Sequence, residues 1–140
     1  MKHQLHTEIN INADVKTVWS IFTDFENYPN WNPFIKSIKG EIKVGERFEA
    51  EIAKFSFKPI TKVYDYEREL TWLGRGFIPG IFDGKHSFIF TKNDDGSTTL
   101  VQSEVFRGIL VPFMSKKFKA EIKEGFEAMN SSLKELAETA

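Results

Sequence analysis

Phe118-Lys-Ala-Glu-Ile122-Lys-Glu-Gly-Phe126-Glu-Ala-Met129-Asn-Ser-Ser-Leu133-Lys-Glu-Leu136 carries its large apolar residues at steps of four, four, three, four and three. That spacing puts them on one stripe of an α-helix. Lys119, Lys123, Glu127, Lys134 and Glu138 fall on the opposite face. A helix of about 22 residues, ~33 Å long at 1.5 Å per residue, is the expectation. No other segment of the sequence is periodic over such a length, so this helix must cover whatever the rest of the chain builds.

What precedes it reads mostly with period two. From His3 to Ile11, Leu5, Thr7, Ile9 and Ile11 alternate with Gln4, His6, Glu8 and Asn10, the pattern of a half-buried strand. Asn12 or Asp14 then caps a helix whose stripe is Val15, Val18, Trp19 and Phe22. A second cap at Thr23-Asp24 predicts another short helical turn, running to Tyr28 and stopping before Pro29. Strands are expected at Ile38 to Ile42 (interrupted by Gly40), Phe48 to Ile52, Ile60 to Tyr66 and Leu70 to Leu73. Two more, Lys85 to Lys92 and Thr98 to Phe106, flank the hairpin signal Asn-Asp-Asp-Gly-Ser. Phe77 to Gly84 holds Pro79, Gly80 and Gly84 and reads as a loop or broken edge.

Strands joined by short turns pair antiparallel. The class is therefore α+β: two short helices after the first strand, then the remaining strands, then one long helix. A helix about 10 Å wide cannot cover a wide sheet. The gaps beside it either fill with large side chains or remain as a cavity.

Asn27 to Phe34 reads Asn-Tyr-Pro-Asn-Trp-Asn-Pro-Phe, with three aromatics, two prolines and no charge. No helix runs through both prolines, because each lacks a donor and restricts the residue before it. Trp31 and Phe34 are thus held stiffly, either as a plug in the core or as the wall of a pocket.

Composition bounds the possibilities. The 140 residues fit one domain, taken as 1–140. The net charge is −1, from 19 basic and 20 acidic residues, which gives no nucleic-acid footprint. Cysteine is absent, so disulfides and thiol chemistry are excluded. The beginning, Met-Lys-His-Gln-Leu-His, lacks the apolar region of a secretory signal, and no stretch is long enough for an integral membrane segment. A cytoplasmic location is expected. Three dispersed histidines suggest no metal site, no cofactor motif occurs, and no Gly-x-Ser-x-Gly elbow is present. Nothing in the sequence speaks to oligomeric state. The unusual feature is 14 Phe beside 3 Trp and 3 Tyr, more bulk than alternation requires.

The final hairpin carries the sharpest constellation. His86, Phe88 and Phe90 share one face of their strand, and Gln102, Glu104 and Phe106 share one face of the next. If the hairpin closes around Asp94 to Ser97, these faces coincide. The bulky phase is assigned to the interior, which sets His86, Gln102 and Glu104 among phenylalanines. A buried carboxylate is costly unless paired, and desolvation raises its pKa. Glu104 either pairs with Arg107, Arg75 or His86, or points to water at the rim, or anchors a ligand's polar end, or exchanges protons with it. A one-residue register slip would reverse the faces.

Other candidates for a cavity wall are Phe48, Phe57, Trp72, Phe88 and Phe106 from the sheet, and Ile122 and Phe126 from the long helix. Trp31 and Phe34 join them from the proline-bounded loop. Phe77, Ile78, Ile81 and Phe82 surround Pro79-Gly80 and form either a gate or a loop folded onto the core.

A family resemblance runs along essentially the whole chain. Ala13-Asp-Val-Lys-Thr-Val-Trp19, Asp24-Phe25-Glu26-Asn27-Tyr28-Pro29, Trp31-Asn32-Pro33-Phe34, Ile38-Lys-Gly40 and Val44-Gly45 carry its first half. Trp72-Leu-Gly74, His86-Ser-Phe88, Thr99-Leu100, Glu104-Val-Phe106-Arg-Gly108, Gly125-Phe126, Asn130 and Leu133-Lys134 carry the second. In this order and spacing they resemble the START-like (SRPBCC) superfamily, and within it the polyketide cyclase/dehydrase-like branch. The resemblance implies a helix-grip fold, a curved antiparallel sheet of about six or seven strands around a long C-terminal helix with an apolar cavity between. It implies functions ranging from lipid carriage to polyketide cyclisation, and fold does not choose among them.

The favoured expectation is a non-catalytic binding or carrier protein for a small hydrophobic or amphipathic molecule. The candidate ligand-binding residues are Trp31, Phe34, Phe48, Phe57, Trp72, His86, Phe88, Gln102, Glu104, Phe106, Ile122 and Phe126. The alternative is a cyclase- or dehydratase-type enzyme acting on a hydrophobic substrate, and a protein-interaction module is third.

Overall fold

In the computed structural model, which describes residues 2–76 and 80–140, the alternating N-terminal segment forms β1 (Lys2–Ile11), with Leu5, Thr7 and Ile11 buried. Helix α1 (Val15–Phe22) follows. Its N-cap is Asp14, whose carboxylate accepts the Thr17 N–H at 2.7 Å. Val18, Trp19 and Phe22 are its buried stripe. A 3-10 turn (Phe25–Asn27) leads into the one-turn helix α2 (Tyr28–Trp31). The helical turn does not stop before Pro29. Proline stands in the first turn of α2, where its missing N–H would have had no partner. The helix does end ahead of Pro33: Asn32 Oδ1 accepts the N–H groups of Phe34 and Ile35 at 3.0 and 2.8 Å and turns the chain into the next strand.

That strand is β2 (Ile35–Lys39), followed by β3 (Glu49–Ile52) and β4 (Phe55–Phe57), which form a three-stranded sheet in the order β2-β3-β4. β2 ends where the expected Ile38–Ile42 strand was to be merely interrupted: Gly40 takes φ +103° and turns the chain away. β4 reads Phe-Ser-Phe, too short to carry a periodic signal, and brings the strands among the described residues to eight rather than six or seven. β5 (Ile60–Asp65), β6 (Glu69–Gly76), β7 (Phe82–Lys92) and β8 (Thr98–Arg107) join β1 in a five-stranded antiparallel sheet ordered β1-β8-β7-β6-β5. A bridge between Arg47 and Ile60 links the two sheets. β6 and β7 run further than expected, through Gly74, Gly76 and Gly84, because pairing continues across Gly74–Gly84 and Gly76–Phe82. Of the expected gate, Phe77, Ile78 and Pro79 lie outside the described residues.

Helix α3 (Lys116–Glu138) starts at Ser115, whose hydroxyl accepts the Phe118 N–H at 3.0 Å. It packs on β1, β8 and α1. Its buried residues are Phe126, Met129, Asn130, Leu133 and Ala137, all in its C-terminal two-thirds. Phe118 and Ile122, earlier on the helix, are only half-buried. Phe88, Phe90 and Leu100 of the sheet are buried, and Phe22 of α1 lies 4.8 Å from Phe88. Trp19 and Phe22 of α1 lie on Phe90 at 5.3 and 4.9 Å between ring centres. The helix therefore grips solid core at one end and overhangs the sheet at the other.

Candidate functional site

The overhang roofs a cavity of about 230 Å³. Two glycines open it. Gly74 on β6 and Gly84 on β7 are directly paired and contribute no side chain to the floor. Around them stand Trp72 from β6, Phe82 and His86 from β7, and Glu104 and Phe106 from β8. Phe118, Glu121 and Ile122 close it from α3, and Phe34 from the turn after α2. Ile52, Ala53, Lys54, Phe55, Phe57 and Pro59 also line it, as does Arg75 of β6. Phe55 and Phe57 are 54% and 42% exposed, so the cavity is open to water beside them.

The hairpin register is the one the bulky faces required. His86 pairs with Glu104, Phe88 with Gln102, and Gly84 with Phe106. His86 is almost fully enclosed. Its ring stacks on Phe88 at 4.6 Å and lies 4.7 Å from Phe126 and 5.0 Å from Trp72. Its Nε2 is 3.0 Å from Gln102 Oε1. Its Nδ1 faces Glu104 Oε1 at 3.7 Å. Glu104 keeps 17% of its side chain exposed, so a molecule in the cavity can reach it. Its carboxyl folds over Gly84, in the space a β-carbon there would take.

Burial pushes the Glu104 carboxyl up to about 8. Burial likewise pushes His86 down to about 4, against the opposing hydrogen bond to Gln102. Near neutral pH the two groups are therefore an uncharged acid and an uncharged base side by side. Arg75 also lines the cavity but makes no ion pair with Glu104 among the described residues, and neither does Arg107.

Of the candidate residues, Phe34, Phe57, Trp72, His86, Glu104, Phe106 and Ile122 line the cavity. The other five do not line it. Phe88 and Phe126 hold the His86 ring, Gln102 bonds its Nε2, and Phe48 packs edge-on against Trp72 at 5.3 Å. Trp31 lies against Tyr28 at 5.3 Å. The residues that sequence reasoning passed over are of two kinds. Gly74 and Gly84 make the void, and a glycine in a strand signals a close approach only once its partner is known. Thr7 and Asn130 complete the polar network behind His86. Their signal was a polar residue in an apolar phase, Thr7 between Leu5 and Ile9 and Asn130 four residues after Phe126.

Among the described residues no group of three or more His, Asp or Glu is placed to hold a metal ion, and no helix is long and apolar enough to cross a membrane.

Solved structures with this fold are numerous. The hypothetical protein jhp0584 from Helicobacter pylori superposes with a TM-score of 0.83 at 16% identity, covering 96% of this chain and 88% of that one. A START superfamily protein from Mycobacterium smegmatis gives 0.72 at 21% identity over 98% of both chains. Ara h 8.0201 gives 0.75 at 13% identity over 100% of both. Identities this low establish the shared fold alone. No curated protein matches the chain by sequence. Residues 2–138 do match, nearly end to end, the family described as "Polyketide cyclase / dehydrase and lipid transport". The helix-grip architecture and that match agree, and the chain belongs to this START-like family.

Proposed function

We propose that the protein binds a small hydrophobic or amphipathic molecule in the cavity between the sheet and α3. The observation that carries this reading is the cavity itself: about 230 Å³, walled chiefly by aromatic and aliphatic side chains. The volume sits just below the usual range for drug-sized ligands, which favours a molecule of one or two rings or a short chain. Burying roughly 150 Å² of its apolar surface is worth about 4 kcal/mol before the costs of association.

1-Aminonaphthalene, an uncharged two-ring dye whose emission shifts to the blue in apolar surroundings, tests it. The wild-type protein should bind it saturably and quench Trp72 in parallel. Ile122→Trp, which places a large ring in the cavity, should abolish the signal while circular dichroism stays unchanged. No saturable binding, or equal binding by the variant, would rule the reading out. Native mass spectrometry of protein isolated from its own host then identifies the class of the bound molecule.

A second reading, a proton-transfer enzyme of the cyclase or dehydratase type, is supported by one observation. An uncharged carboxyl and an uncharged imidazole face the same cavity 3.7 Å apart, an arrangement suited to acid–base work.

A further inference from the structure

A chain of hydrogen bonds behind the cavity determines which nitrogen of His86 carries the proton. The Thr7 hydroxyl donates to the Gln102 backbone carbonyl at 2.7 Å, which leaves its oxygen to accept. Asn130 Nδ2 donates to that oxygen at 2.9 Å. The amide of Asn130 is thereby turned with Oδ1 toward Gln102, whose Nε2 donates to it at 2.7 Å. The same Nε2 donates to the Phe126 carbonyl at 3.3 Å, a second backbone acceptor that demands the same orientation. Gln102 Oε1 is left facing His86 Nε2 at 3.0 Å. An amide oxygen only accepts, so neutral His86 carries its proton on Nε2 and its lone pair on Nδ1. Nδ1 is the atom turned toward Glu104.

The 3.7 Å between Nδ1 and Glu104 Oε1 is too long for a hydrogen bond. Among the described residues the Glu104 carboxyl has no hydrogen-bond partner and no cation within ion-pair distance. A fixed acceptor and a carboxyl group thus face each other across a gap that opens into the cavity. One oxygen atom at ~2.8 Å from each would bridge them.

We infer that the inner end of the cavity is a site for an uncharged hydroxyl, carried on an otherwise apolar alcohol or phenol. The hydroxyl oxygen accepts the Glu104 carboxyl proton, and the hydroxyl proton is donated to His86 Nδ1. Neither a hydrocarbon nor a carboxylate satisfies both groups. A hydrocarbon leaves donor and acceptor unpaired, and a carboxylate sets negative charge beside Glu104 and offers Nδ1 no proton. Lys54, Arg75 and Glu121 of the lining are exposed, and among the described residues neither cation forms an ion pair with Glu104 to offset that charge. Thr7, Asn130 and Gln102 are positioning residues, acting on the ligand only through His86. The inference rests on the binding reading above and specifies the ligand for that site.

Three probes with one ring system separate the possibilities: naphthalene, 2-naphthol and 2-naphthoate, titrated at about pH 6, where the naphthoate is ionised. The expected order is 2-naphthol about tenfold tighter than naphthalene, as one good hydrogen-bonded group contributes, with 2-naphthoate weakest. Glu104→Leu, which leaves His86 Nδ1 as the hydroxyl's one partner, should reduce the preference for 2-naphthol over naphthalene several-fold. Glu104→Gln, whose amide still donates, should retain the preference. Equal binding of naphthalene and 2-naphthol overturns the inference and leaves the binding reading standing. So does tightest binding by 2-naphthoate that is lost in Arg75→Ala or Lys54→Ala, which would put an anion at the rim. Failure of all three probes to bind removes the binding reading and the inference together. An independent readout is the nitrogen-15 spectrum of the imidazoles: His86 should be protonated at Nε2, and protonation at Nδ1 overturns the assignment whatever the probes do.

Discussion

The ring of Phe34 occupies the space in which a β-carbon on Gly125 would stand. This ties the proline-bounded loop to the long helix. Pro33 and the Asn32 turn hold Phe34 in place, and its ring packs edge-on against Phe126 at 5.5 Å between centres. Gly125 is thus a glycine for reasons of space, in a helix where alanine would be the better helix former.

Gly125→Ala should therefore lower stability, although an isolated helix would gain up to about 1 kcal/mol from the change. Displacing a packed ring costs about 1–3 kcal/mol, so a net loss of about 1–2 kcal/mol is expected in urea melts. Phe34 also lines the cavity, so binding of an uncharged dye should weaken in parallel. A stabilised variant with undiminished binding would show that Phe34 yields without cost.

Stability should fall as pH rises above about 6.5. Unfolded, Glu104 releases its proton near 4.5, while in the folded chain it holds it up to about 8. Between those values the folded state binds the extra proton, so stability declines with rising pH. His86 acts in the opposite sense: the unfolded chain takes up a proton near 6.5, the folded one only near 4, so stability rises over that interval. The two slopes oppose each other from 4.5 to 6.5, and the Glu104 slope alone remains from 6.5 to 8. Glu104→Gln should match the wild type near pH 5 and exceed it at pH 8.5 in denaturant melts. A difference that does not grow with pH would mean that Glu104 is ionised throughout.

Gly84→Ala puts a methyl group where the Glu104 carboxyl lies. The carboxyl is the far end of a flexible side chain and can swing aside, so the expected cost is small, at most about 1 kcal/mol, and it should vanish in a Glu104→Ala background, because the collision is with that one side chain. A double-mutant cycle measures the coupling directly. Additive effects would place the strain in the backbone of β7 instead.

Tyr28 donates its hydroxyl to the Phe22 carbonyl at 2.6 Å from a fully buried position. Tyr28→Phe leaves that carbonyl unpaired at the end of α1 and should cost about 1–2 kcal/mol. Phe34 and the cavity stand apart from this bond, so dye affinity should be unchanged. A variant as stable as the wild type would indicate that water replaces the hydroxyl.

Several parts of the molecule were legible because local physics decides them. The stripe from Phe118 to Leu133 is a helix in any fold that can bury it, and the alternation of β1 and of the β7–β8 hairpin leaves one phase for the interior. That His86 and Glu104 share a face followed from the bulk of Phe88, Phe90 and Phe106 and a hairpin closing around Asp94 to Ser97; their direct pairing came only with the structure. Other parts were not legible for equally definite reasons. Pro29 reads as a stop but sits in a first turn, where its missing donor matters least. β4 is three residues long and exists only because β3 lies beside it.

The sequence by itself determined the architecture and the chemical character of the site: which faces are apolar, and which polar groups share them. Only the tertiary structure decided which aromatic rings are wall and which are filling. Phe88 and Phe106 are indistinguishable as sequence, both bulky and both inward, yet one backs the His86 ring and the other faces the void. The difference arises from residues that contribute nothing. Two glycines paired across strands leave space beneath the overhanging end of α3, and a void is a property of what several distant segments together fail to fill. The orientation of His86 is decided in the same way. It is set by a backbone carbonyl on β8, a hydroxyl on β1 and an amide on α3, which adjoin one another only after the sheet has closed on the helix.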